Sequence, residues 1–167
     1  MAHSGARNLR DGTIIISDGT GTPNTCTVEL EEGTLQWTED RTARQVKDRG
    51  ALSHFRTGDQ NFVALSFSFM MDEYQALTAG AAAKPYEALT KSGMASAWAS
   101  VGESYEPYLV DIIFKVANPN SSANREVLQF DNFHADTVEV SEGDPNMISV
   151  SGAARCVAPT QTEESQS

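Results

Sequence analysis

Cysteine is scarce in this chain: Cys26 and Cys156 are the two in 167 residues. Two thiols exclude a disulfide framework and a four-cysteine zinc site. Both lie among apolar residues in strand-like runs, and both are expected as buried free thiols. Basic residues are also few, 12 against 23 acids, for a formal net charge of -11. The summed field repels phosphate, which excludes a broad nucleic-acid grip, although an acidic protein can surround DNA without holding it. No stretch approaches the roughly 18 consecutive apolar residues of a membrane helix. The opening MAHSGARNLRDG has no apolar signal-peptide core, so no membrane segment is expected and synthesis in the cytoplasm is.

The motifs of common catalysis are missing too. The chain has no G-x-S-x-G elbow, no G-x-x-x-x-G-K loop, no H-E-x-x-H and no dinucleotide fingerprint. Gly19-Thr20-Gly21 reads as a turn, because no helix follows to present its N-terminus to a phosphate. His3, His54 and His134 are far apart; His134 and Asp136 share one strand face and read as polar surface rather than as a metal site. No catalytic residue, metal or cofactor is therefore assigned, and an enzyme is the weakest reading.

What is present is alternation. Thr13–Ser17 is strand-like, and a Gly, Pro, Asp and Asn-rich turn over 18–24 leads into 25–32, with Cys26, Val28 and Leu30 on one side and Thr27, Glu29 and Glu31 on the other. A short strand follows at Thr34–Thr38. Phe62–Met70 alternates Val63, Leu65, Phe67 and Phe69 against Ala64, Ser66 and Ser68. Helix signals are confined to the middle: Asp72 caps 73–78, and Pro85 opens 86–92. Strands return at 108–117, 126–141 and 147–157. The expectation is a mainly β fold, an antiparallel β-sandwich or barrel flanked by one or two short α-helices. Residues 1–10 are expected as a flexible N-terminus, 11–158 as one domain and the polar 159–167 as a disordered tail. Trp37 and Trp98 read as packing residues, which leaves a monomeric β-sandwich binding module for sugar or peptide with little support.

The stretch RTARQVKDRGALSHFR, Arg41–Arg56, concentrates five of the twelve basic residues beside one acid, Asp48. It lies in a segment, 39–60, that reads as a long loop, unusual in a compact domain unless functional. A solvated loop is one reading and a nucleic-acid arm another, but the run offers only Phe55 for base stacking. A protein-contact arm fits best, because an otherwise acidic chain supplies the complementary partner itself.

The order of these features resembles the major tail tube proteins of long-tailed, non-contractile bacteriophages. The resemblance spans roughly residues 10–158 and rests on pattern and turn chemistry. Its strongest parts are REVLQFDNFHADTVEVSEGDPNMISVSG and Tyr105-Glu-Pro-Tyr-Leu-Val-Asp-Ile-Ile-Phe114. It implies a virion tail component, made in the host cytoplasm, whose copies form hexameric rings stacked into a hollow tube that conducts DNA without specific binding. The implied partners are further copies of the chain together with tape measure, tail terminator and tail-tip proteins. It further implies that the 39–60 loop reaches a neighbouring ring through Arg41, Arg44, Lys47, Arg49, Phe55 and Arg56. Polar strand faces would line the lumen, with Glu29, Glu31, Ser66, Ser68, Asp111 and Ser149 as candidates, although Lys115 shares the face of Asp111. The tube protein of a contractile tail, or of type VI secretion, is the alternative within the same fold.

Overall fold

The computed structural model describes residues 12–30, 33–71, 76, 78, 80–117, 124–143 and 145–165. Its elements are β1 (Gly12–Ser17), β2 (Thr25–Glu29), β3 (Thr34–Thr38), β4 (Ala43–Asp48), β5 (Ala51–Thr57), β6 (Val63–Met70), α1 (Pro85–Thr90), β7 (Val110–Ala117), β8 (Asn124–Ser141), β9 (Met147–Ala154) and β10 (Thr160–Ser165). The main sheet runs β2-β1-β7-β8-β9-β6-β3 with β10 also on β8, and β4 and β5 form a separate two-stranded sheet. Every pairing is antiparallel. The fold is thus mainly β, as the alternation predicts.

The eighteen-residue β8 joins two halves of this sheet. Its first part pairs with β7 and β10, and its second with β9. Between them Phe130 and Phe133 are both fully buried, so the two-residue period slips at Asp131-Asn132, where Asn132 takes φ 54. The slip is a β-bulge, which bends a strand and strengthens its twist. It is held from both sides: Asp111 Oδ1 accepts the Asn132 N–H at 2.9 Å, and the Asn132 carbonyl accepts the Arg155 N–H at 3.2 Å. The bend brings the end of the sheet path back over its middle, where Trp37 of β3 meets Phe130 edge to face at 5.7 Å.

The core between the halves takes one face of every main-sheet strand but β10. Ile14, Ile16, Cys26, Val28, Leu65, Phe67, Phe69, Ile112, Phe114, Phe130, Phe133, Ile148 and Val150 belong to one buried cluster. Full burial of each large side chain contributes about 1.5–3 kcal/mol, so these rows dominate the stability. Gly152 of β9 lies against the His134 carbonyl, where a Cβ would collide with backbone. Trp98 is buried and Trp37 half-buried against the core, both as packing residues.

Two buried carboxylates organise the connections. Asp18 accepts the Asn24 N–H at 2.7 Å, the Asn24 amide at 2.8 Å and the Thr20 hydroxyl at 2.8 Å, closing the β1–β2 turn. It also accepts the Ala99 N–H at 3.2 Å, tying that turn to a distant segment. Pro85 opens α1 at a position that needs no N–H. Glu87 then accepts the Lys84 N–H at 2.9 Å and, from beyond the helix, the Met94 N–H at 3.2 Å. Lys91, in the left-handed region at φ 53, ends the helix.

Several expectations need correction. The 39–60 segment is not a loop throughout, since it contains the β4–β5 hairpin. Asp48-Arg49-Gly50-Ala51 makes its two-residue turn, with Arg49 at φ 48 and Gly50 at φ 84, the signs that a right-twisted hairpin requires. The 159–167 tail is not disordered over its described part: β10 pairs in register from Thr160↔Gln129 to Ser165↔Asn124. All six of its side chains are exposed, so the backbone ladder, which composition cannot reveal, orders it. The closing strand stops at Ala154, short of Val157, and Cys156 is half-buried rather than buried. The helix expected over 73–78 and the flexible 1–10 segment fall largely or wholly outside the described residues.

Candidate assembly surfaces

The β4–β5 hairpin is clipped at its root. Asp40 accepts the Thr42 hydroxyl and, at 2.5 Å, the Asn61 amide, and the Gly58 N–H reaches the Thr42 carbonyl at 3.0 Å. Arg41 belongs to this root, with its guanidinium on Glu39 at 2.5 Å. That bond draws the Glu39 carboxyl below its ordinary range. Arg41 is therefore committed within the chain, unlike the other basic residues proposed for the arm.

Beyond the root, among the described residues, the two hairpin strands pack chiefly on each other. Its register sets Arg44 directly opposite Arg56 and Val46 opposite His54, so these four share one face. Gln45 and Phe55 face the other way, with Phe55 65% exposed. Like charges directly opposite in a ladder repel. Among the described residues no carboxylate lies within ion-pair distance of Arg44, Lys47, Arg49 or Arg56. A two-stranded hairpin is marginal in water on its own, so this arm calls for an outside partner.

A second surface is the solvent face of β3, β6, β9 and the far part of β8. Register aligns Thr34, Ser68, Ser149 and Glu139 in one row and Gln36, Ser66, Ser151 and Thr137 in the next. Thr34 and Ser68 hydroxyls meet at 2.9 Å, and the rows floor a depression of about 270 Å³. Three of the lumen candidates, Ser66, Ser68 and Ser149, are thus brought together, with one acid, Glu139, among them.

The candidates on other described strands belong to the other half of the sheet. Asp111 sits on β7 in the other half, where its carboxylate holds the bulge; burial pushes its pKa up, opposed by the Asn132 N–H. Lys115 does share its face, as expected, but bonds Glu164 at 2.6 Å. Glu29 lies in β2 opposite Thr13, and Glu31 is outside the described residues. His134 presents Nδ1 to the Tyr108 carbonyl at 3.1 Å, and its Nε2 stands 3.8 Å from Asp136. This is a satisfied surface histidine.

A third surface was not anticipated. Where β10 runs beside β8, Glu163 stands across the ladder from Glu126. With Trp37, Leu128 and Gln161 they line a cleft of about 330 Å³. Its only signal in the sequence is the acidic TQTEES near the C-terminus, and its meaning depends on a register that composition does not contain.

No protein-family model matches the chain, and no curated protein does. Among solved structures, a chain of the PVC sheath–tube complex, an extracellular contractile injection system in its extended state, superposes with a TM-score of 0.51 at 8% identity. That match covers 99% of this chain and 95% of the other. A chain of the six-fold symmetrised baseplate of the anti-feeding prophage (AFP) gives a TM-score of 0.46 at 7% identity, covering 96% and 97%. At such identity the likeness is one of fold, and the first match carries it. The chain has a tail-tube-like β fold, and the match does not single out the long-tailed non-contractile family.

Proposed function

We propose that this chain is a structural, non-enzymatic subunit that assembles with copies of itself into a tube. The observation that carries the reading is the pairing of a hydroxyl-rich outer sheet face with an arm whose Arg44, Lys47, Arg49 and Arg56 have no ion-pair partner among the described residues. A face of Ser and Thr with one acid offers passing cargo neither an apolar surface nor a cationic grip. An arm of opposite charge to the rest of the molecule steers copies together.

Among the described residues, the half-sheet that carries the face also has two unpaired edges, β3 and the part of β8 beyond Phe133. Ring closure would pair such edges, which otherwise invite aggregation. The similarity to a contractile sheath–tube complex favours a contractile-type particle. A phage tail whose lumen passes DNA uses the same subunit chemistry, with hexameric rings, Ser66, Ser68 and Ser149 toward the lumen, and tape measure, terminator and tip proteins as partners. Sedimentation velocity across a concentration series tests the proposal: the expected result is a shift from about 18 kDa monomer to rings or longer polymers. A single monomeric species at every concentration would refute it.

A further inference from the structure

We propose that β10 is an exchanged strand: on assembly it leaves β8 of its own chain and completes the same ladder on β8 of a neighbouring copy. The inference rests on the self-assembly reading and names one contact within it.

β10 differs from the other strands of the main sheet in what holds it. Its six side chains are all exposed, and none belongs to the buried cluster. The segment TQTEES has no aliphatic or aromatic residue, so its departure takes nothing from the core. Among the described residues it pairs with β8 alone, from Thr160↔Gln129 to Ser165↔Asn124. Lys115 of β7 bonds Glu164 at 2.6 Å, but the two side chains are 22% and 50% exposed, and an ion pair so open to water adds little. The chain just before β10 is held quite differently. Ile148, Val150 and Ala154 of β9 are buried, and β9 pairs on both sides. The Arg155 guanidinium lies on Glu106 at 2.7 Å, the Cys156 carbonyl accepts the Val63 N–H at 3.1 Å, and Pro159 is buried. The chain is thus fixed through Pro159 and held by a ladder after it, so β10 can open without disturbing the core.

The strand that fits the edge so opened is β10 itself. Along β8, Arg125 stands opposite Glu164, and Val127, 8% exposed, lies between Lys115 and Thr162 in the ladder. Another copy offers an identical edge, so exchange remakes each bond that it breaks and its cost is confined to the connection. Six extended residues reach about 20 Å, enough to cross to a copy packed alongside. Each copy then gives a strand to one neighbour and receives a strand from another, a heterologous contact that closes in a ring or continues along a tube. The β8 edge is paired in the product as in the free chain, so exchange leaves no open ladder to invite aggregation.

Cysteines placed across the ladder test this, in a Cys156→Ser background. Val127→Cys and Thr162→Cys in one chain, oxidised while monomeric, tie β10 to its own β8. Assembly should then need at least about tenfold more protein, because the strand no longer links copies, and should recover on reduction, which also shows that the variant folds. Two chains carrying one change each, mixed, assembled and then oxidised, should form a disulfide with each other. In the wild-type monomer, hydrogen exchange should be at least about tenfold faster over 160–165 than over 147–154. If the oxidised chain assembles as well as its reduced form, if the mixed chains assemble without forming that disulfide, or if 160–165 exchanges as slowly as 147–154, β10 stays on its own chain and the self-assembly reading stands. Wild-type chain that stays monomeric overturns both.

Discussion

Asp111 shows how a residue chosen for one role serves another. Period-two alternation places it correctly on the outer face of β7, but alternation says nothing of the bulge across the ladder whose N–H it accepts. Burial, opposed by that bond and reinforced by Asp131, raises its pKa, so its negative charge is a cost to the folded state at neutral pH. Asp111→Asn keeps an oxygen for the Asn132 N–H and removes the charge. Thermal unfolding at pH 7 should show equal or greater stability, and a loss above about 1 kcal/mol would contradict this account of the bulge. Asp18 and Glu87 shift the other way. Burial pushes Asp18 up, but bonds from Asn24 and Thr20 outweigh it; the Lys84 N–H draws Glu87 down against burial. Both carboxyls are lowered in the folded chain, so their contribution is complete above about pH 5, past the unfolded carboxyl range, and lost as pH falls through their folded values. Unfolding midpoints measured from pH 7 to pH 2 should be flat and then drop below that point, less steeply in Asp18→Asn. Glu87→Gln turns one acceptor into a donor facing a backbone N–H, and a loss of about 1–3 kcal/mol is expected by denaturant titration.

At the scale of elements, legibility followed burial. Strands with one apolar face, such as 25–29 and 63–70, were readable because each side chain reports its own environment. The hairpin and β10 were not, because both faces of each are exposed and only their backbones pair. The hairpin did leave one mark: Arg49-Gly50 sits at the centre of an extended basic run, where a two-residue turn needs left-handed backbone twice. The bulge in β8 was also written as Phe-Asp-Asn-Phe, two core aromatics three residues apart in a strand that should repeat every two. The arm's independence from the core yields a prediction. Gly50→Val forces a β-branched side chain into φ 84 and should unsettle the turn. Assembly should weaken severalfold while the thermal unfolding midpoint moves by less than about 0.5 kcal/mol equivalent, because the turn touches nothing in the core. A large drop in the midpoint would show that the hairpin supports the domain.

At the scale of the whole molecule, the candidate site is a division of charge rather than a pocket. One segment carries five of the twelve bases, and the remaining chain is strongly acidic. Composition makes that division visible and points to self-contact; that Arg44 stands against Arg56 required register, which composition does not contain. The lumen candidates divided in the same way, since the Ser residues of β6 and β9 converge and the acids of β2 and β7 do not. Imaging the purified protein by cryo-electron microscopy at high concentration tests the central claim most directly. The account predicts hollow rings or tubes with the Ser66, Ser68 and Ser149 face turned inward. Persistent monomers, or polymers that present that face to the outside, would contradict it.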